Sequence, residues 1–157
     1  MSRRHRAEKR KIAPDPLYKS ITLAKFINKV MYDGKKSTAT KIVYSAIQKF
    51  ADRIKVENPL EAFEEALEKA KPSLEVKSRR IGGATYQVPI EIAPDRRTSL
   101  AMNWLINFSR AKPGKPMNQA LADELYDCFN NQGTTIKKKE DTHRMAEANK
   151  AFAHYKW

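Results

Sequence analysis

Lys71 to Ile92, KPSLEVKSRRIGGATYQVPIEI, decides the fold. Leu74, Val76, Tyr86, Val88, Ile90 and Ile92 fall at alternate positions, as a half-buried strand requires. Gly82-Gly83 tolerates positive φ, so the chain can reverse there and form a two-stranded β-ribbon. Two registers compete. A two-residue Gly82-Gly83 loop sets Val76 opposite Pro89 and puts the apolar positions on opposite faces. A three-residue loop that adds Ala84 pairs Val76 with Ile90, Leu74 with Ile92, Ser78 with Val88 and Arg80 with Tyr86. The second keeps one face apolar near the base and is the expected register.

The ribbon changes character along its length. Its base is apolar and can anchor in a core, whereas its tip carries Lys77, Arg79 and Arg80, with Tyr86 opposite Arg80. An isolated two-stranded ribbon is marginal in water, so a basic tip implies a partner. Basic residues on an exposed strand also discourage edge-to-edge pairing. The rest of the chain favours a polyanion: Lys and Arg outnumber Asp and Glu by 31 to 18, a net charge of +13 over 157 residues. No apolar run approaches the ~18 residues of a spanning helix. The start, MSRRHRAEKRK, does not lead into the apolar core of a secretory signal. No membrane partner is expected. The single cysteine, Cys128, cannot form an internal disulfide, which fits a reducing compartment.

Working outward, residues 1–12 form a basic arm with Arg3, Arg4, Arg6, Lys9, Arg10 and Lys11 against Glu8 alone. It is expected to order on a polyanion, unless it merely solvates the end of the chain. Pro14 and Pro16 then enforce extension. Ser20 can cap a first helix with Ile21, Leu23, Ala24, Phe26, Ile27, Val30 and Met31 as its stripe, and Gly34 stops it. Lys35 and Lys36 precede a second helix that Ser37 or Thr38 can cap, and lysines beside exposed helix N–H groups make a phosphate seat. GKKST lacks the glycine five positions before its Gly-Lys pair that a nucleotide loop needs, since Lys29 stands there.

The second helix has the cleanest period, through Ala39, Ile42, Val43, Ala46, Ile47, Phe50, Ala51 and Ile54. Asn58-Pro59-Leu60-Glu61 opens a third, whose outer face of Glu61, Glu64, Glu65 and Glu68 is either solvated surface or a docking face for a basic protein. Pro94-Asp95 opens a fourth. Arg96 and Arg97 lie in its first turn, where the helix dipole disfavours cations, and this implies an outside reason such as phosphate. The loop from Arg110 to Pro116 offers Lys112 and Lys115 for a backbone contact. A fifth helix spans about Asn118 to Asn130, with Cys128 as a small core residue, and Gly133 ends it. A last, basic helix over 135–157 has only a thin stripe of Met145, Ala148, Ala151 and Phe152. Its closing rings either stack on bases or tuck back on the body. The architecture expected is mainly α: one domain over 1–157, six helices, and a protruding antiparallel ribbon at 72–92 between helices three and four.

No catalytic constellation is present. His5, His143 and His154 lack ligand spacing, no serine sits in a G-x-S-x-G elbow, and the carboxylates lie at solubilising intervals. No enzyme activity, cofactor or metal is expected.

Four stretches then carry a resemblance: MSRRHRAEKR at the start, Ser20 through MYDGKKSTATKIVYSA, EVKSRRIGGATYQVPIEI in the ribbon and KKKEDTHRMAEANKAFAHYKW at the end. Together they resemble the bacterial form of the small-subunit ribosomal protein seven family over nearly the whole length. The resemblance implies a structural ribosomal protein of the cytoplasm that binds small-subunit ribosomal RNA directly and nucleates assembly of the head. It implies a place near the exit transfer-RNA site and the messenger path, beside other head and platform proteins. By position, ribosomal RNA contacts would fall on Arg3, Arg4, Arg6, Arg10, Lys35, Lys36, Lys77, Arg79 and Arg80, with Arg96, Arg97, Lys112 and Lys115 adding to them. Tyr86, Arg144 and His154 would face transfer RNA or a neighbouring protein. A DNA-bending architectural protein is the competing class, and it predicts preference for duplex DNA and a dimer.

Overall fold

In the computed structural model, which describes residue 8 and residues 10–155, six α-helices form the body and a two-stranded ribbon packs against the last of them. In chain order these are α1 (Ile21–Val30), α2 (Lys36–Ile54), α3 (Pro59–Ala70), β1 (Leu74–Ile81), β2 (Ala84–Glu91), α4 (Pro94–Ala111), α5 (Met117–Phe129) and α6 (Gly133–Ala148). A short 3-10 helix follows at Lys150–Tyr155. None of the helices is long and apolar enough to cross a membrane, among the described residues.

Local chemistry sets most of the starts. Ser20 caps α1, its Oγ accepting the Leu23 N–H at 3.3 Å, and Asn58 caps α3, its Oδ1 accepting from Leu60 at 3.2 Å. The chain before α1 is pinned by buried Asp15, whose carboxylate accepts the Tyr44 hydroxyl at 2.8 Å and the N–H groups of Leu17 and Tyr18. Helix α2 differs from expectation. It begins at Lys36 with Lys35 in the cap position, and neither Ser37 nor Thr38 caps it. The reason is the turn before it: Asp33 and Gly34 both have positive φ, and the Lys35 N–H reaches the Tyr32 carbonyl at 2.9 Å. That tight reversal delivers the chain in helical register early.

The core joins Leu23, Phe26 and Ile27 of α1 to Val43, Ile47 and Phe50 of α2, Phe63 and Leu67 of α3, Met102 and Leu105 of α4 and Leu121 and Leu125 of α5. Each is buried almost completely, a burial that stabilises by about 1.5–3 kcal/mol per large side chain. Helix α5 is the hub, packing against α2, α3, α4 and α6. Ile21, expected in the α1 stripe, is instead half exposed.

Three further expectations give way. Gly133 does not end α5 but opens α6, with φ of +89°. A Cβ there would meet the Asp127 Cβ at 2.7 Å, so close approach as well as backbone conformation demands glycine. Helix α6 stops at Ala148 rather than running to the end, and its buried residues are Thr135, Ile136, Thr142 and Ala146, not Met145 and Ala148. The threonines enter the interior because their hydroxyls have partners; Thr142 donates to the Lys138 carbonyl at 2.8 Å.

The third correction is the ribbon register. Val76 pairs with Pro89, Arg79 with Tyr86, Arg80 with Thr85 and Ile81 with Ala84, around a two-residue loop whose glycines both have positive φ. Such a turn matches the twist of the strands. Leu74, Val76 and Pro89 therefore face one way, and Tyr86, Val88 and Ile90 the other. Segregation onto one face is unnecessary because the C-terminal segment packs on the Tyr86 face and lines a cleft with the other. Leu74 and Pro89 share a cleft with Ala146 and Ala153, while Tyr86 packs on Phe152 at 5.3 Å and on Tyr155 at 5.1 Å.

Candidate nucleic-acid interface

The basic residues separate by what answers their charge. Lys35 and Lys36 in the α1–α2 turn, Arg80 at the ribbon tip and Arg10 on the arm are exposed, and none of their side chains has an ion-pair or hydrogen-bond partner among the described residues. Arg3, Arg4 and Arg6 lie outside the described residues. The turn that carries Lys35 and Lys36 is held by its own backbone, and the ribbon tip by its paired strands, so both present charge from fixed positions.

A second set is partly engaged. Arg79 donates to the Tyr155 carbonyl, and Lys77 lies 3.6 Å from the Glu75 carboxylate. Arg96 forms a forked contact with Glu75, Nε and Nη2 reaching its oxygens at 2.9–3.0 Å, and the guanidinium is held still more firmly protonated by that hydrogen bond. Arg97 Nε donates to the Ile92 carbonyl at 2.8 Å. The arginine pair in the first turn of α4 thus has an internal reason: it ties the helix to the ribbon base.

Lys112 and Lys115 belong to a third set, bound into the body. Lys115 reaches Asp123 at 2.6 Å, and Arg53 reaches the same carboxylate at 2.8 Å. Burial raises the Asp123 carboxyl, but Lys115 and Arg53 outweigh it and hold the group below its ordinary range. Lys112 contacts Asp127 at 3.2 Å and Glu124 at 2.8 Å. Glu124 is fully buried. Its Oε1 accepts from the Thr135 N–H at 3.0 Å and from the hydroxyls of Thr134 and Thr135, so a side chain of α5 caps α6. Its Oε2 meets Lys112 as an ion pair without hydrogen-bond alignment. Burial would raise this carboxyl, yet Lys112 and Thr135 together lower it.

Other cations serve helix C-termini, where carbonyls lack partners. Lys69 donates to Phe129 O at 2.8 Å, Lys139 to Lys69 O at 2.6 Å and Arg110 to Val30 O at 3.1 Å. None of these was readable from the sequence, because the partners stand 60 to 80 residues away. Glu124 did leave a signal: it falls between Leu121, Leu125 and Cys128 on the inward face of α5.

The remaining candidates are mixed. Tyr86 lies under Phe152 and Tyr155, so its ring is already covered. Of the terminal rings, Tyr155 tucks back on the ribbon. Arg144 is exposed and ion-paired to Asp141, and exposed His154 contacts the Ala151 carbonyl at 2.9 Å. No cluster suited to a metal ion occurs among the described residues, and burial pushes the Cys128 thiol up to about 12, as a core residue rather than a reactive one.

Comparison with known proteins agrees in one direction. A sequence model of the family described as ribosomal protein S7p/S5e matches residues 2–150. The chain is 75% identical over 157 residues to small ribosomal subunit protein uS7 of Protochlamydia amoebophila, covering all of both chains. It is 70% identical, again over the full length of both, to the proteins of that name from Chlamydia trachomatis serovar L2 and Chlamydia muridarum.

Proposed function

Because this chain belongs to the ribosomal protein S7p/S5e family, we propose that it binds small-subunit ribosomal RNA directly, early enough to nucleate assembly of the subunit's head. It is a structural, non-enzymatic component of the small ribosomal subunit in the cytoplasm. The finer reading rests on one observation: Lys35, Lys36 and Arg80 stand exposed on a turn and a ribbon tip with no carboxylate or carbonyl partner for their side chains among the described residues, whereas Lys112 and Lys115 are ion-paired to α5. Arg3, Arg4, Arg6 and Arg10 of the arm would add RNA contacts, as would Lys77 and Arg79 of the ribbon, which are already partly engaged within the protein. Arg96, Arg97, Lys112 and Lys115 complete the set as a second rank whose charge is already shared. Such scattered charge on rigid projections fits a folded RNA junction, read by phosphates, 2′-hydroxyls and shape. The site would adjoin the exit transfer-RNA site and messenger path, with Arg144 and His154 toward transfer RNA or a neighbouring head or platform protein and Tyr86 holding the segment that presents His154.

The test is a titration of the folded chain with a small-subunit ribosomal RNA transcript and with duplex DNA, across salt. Tight, steeply salt-dependent binding to the RNA by a monomer is expected. Equal or better binding to duplex DNA, or no RNA binding at low salt, overturns the proposal.

A further inference from the structure

Tyr32 is a large aromatic side chain left 63% exposed, directly after α1. Exposure of one ring is ordinary in itself. Its surroundings are not. The Arg110 guanidinium lies over the ring at 4.0 Å from the centroid, and Arg110 is itself fixed by its bond to the Val30 carbonyl. The ring is therefore backed by a held cation. Its backbone belongs to the Tyr32–Lys35 reversal, which fixes its direction. Beside it opens a cleft of about 100 Å³ lined by Val30, Thr38, Ala39 and Ile42. Lys35 and Lys36 stand at the same turn without partners, so the seat holds three cations to one acid, Asp33.

We infer that Tyr32, braced by Arg110 and flanked by Lys35 and Lys36, is a stacking platform for one unpaired nucleobase of structured RNA. Three requirements of such a contact meet here. A nucleobase needs a flat, immobilised π-face, which the bracing supplies. Its edge needs an apolar wall, which the cleft supplies. The phosphates on either side need cations within reach, which the two lysines supply. A base inside a duplex already has both faces stacked, so the ligand is a base in a loop, bulge or junction. This rests on the ribosomal RNA reading above and adds to it a contact that is not electrostatic.

The experiment compares full-length wild type, Tyr32→Leu, Tyr32→Phe and the Lys35→Ala/Lys36→Ala pair for binding to a small-subunit ribosomal RNA transcript across salt. Tyr32→Leu is expected to lose about tenfold in affinity with its salt slope unchanged, because stacking releases no counterions. Tyr32→Phe keeps the π-face and stays within about twofold of wild type. The lysine pair loses affinity with a flattened slope. Thermal midpoints should differ little among the tyrosine variants, since the side chain is 63% exposed. Wild-type affinity in Tyr32→Leu overturns the platform while leaving RNA binding intact. The same variant binding RNA normally but failing to enter subunits gives the ring to a neighbouring protein and also overturns it. Failure of wild type to bind the transcript overturns both readings at once.

Discussion

Two turns of this molecule look alike in sequence and behave differently in space. Gly34-Lys35-Lys36 and Lys112-Pro113-Gly114-Lys115 each pair a glycine with two lysines between helices. In the first, the lysines are exposed and unanswered. In the second, α5 brings Asp123, Glu124 and Asp127 beneath the turn and engages both lysines. A lysine's availability to phosphate is thus decided by whether a neighbouring helix presents carboxylates, not by the turn that carries it. The difference also separates roles. One turn holds charge ready for a partner, and the other sets it against carboxylates of α5, one of which, Glu124, also caps α6.

The largest test attacks the fastened turn. Glu124→Ala removes one of the two carboxylates at Lys112 and the acceptor of the Thr135 N–H. Urea unfolding should show a loss of about 3 kcal/mol, at the low end for a broken buried pair because Lys112 keeps contact with water. A loss below about 1 kcal/mol would make the buckle incidental. Next, Lys35→Ala/Lys36→Ala should weaken ribosomal RNA binding about tenfold at moderate salt and lower the salt slope by about one to two units. Lys112→Ala/Lys115→Ala should cost less affinity, about two- to threefold, and more stability. Reversed ranking of the two pairs in filter binding would break the comparison.

Arg80→Ala is expected to cost a few-fold in affinity and about one unit of salt slope, with thermal stability unchanged. It is a cleaner probe than its neighbour, because Arg79 also anchors Tyr155. The smallest effects are those of pH. Glu124 is lowered in the fold, so its contribution is complete above the unfolded carboxyl range and is lost as pH falls through the folded value, below about 4.5. His143 is lowered by burial and by Lys139, and its neutral Nε2 accepts the Ser73 N–H at 3.0 Å. The unfolded chain takes up that proton first, so stability should decline gently as pH drops below about 6.5. His143→Gln should remove this shallow limb; an unchanged profile would show that the ribbon base does not depend on the imidazole.

Much of the fold was legible because it depends on neighbours in the chain. Ser20 and Asn58 cap where a side-chain oxygen three or two residues before an N–H predicts, and α2 follows its own period. The ribbon was legible as a ribbon but not in its register. Alternation alone favours the register with one apolar face near the base, whereas Phe152 and Tyr155 return from the far end of the chain to pack on Tyr86. In sequence the arginine pair Arg96-Arg97 implies an outside reason such as phosphate, because Glu75 lies 21 residues upstream and its approach depends on how ribbon and helix meet. Tyr32 gave no sign at all, since an exposed tyrosine becomes informative only when Arg110 is seen over its ring.

The sequence by itself determined the helices, the reversal at Gly82-Gly83, the basic surplus and, through long matching stretches, the family. These follow from local dihedral preferences, hydrophobic period and composition, none of which needs the chain to meet itself. Only the tertiary structure decided which cations remain free, which face of the ribbon is covered and where a buried carboxylate closes a helix end. Each of those depends on a partner tens of residues away, and charge is neutralised by distance in space rather than by distance in sequence.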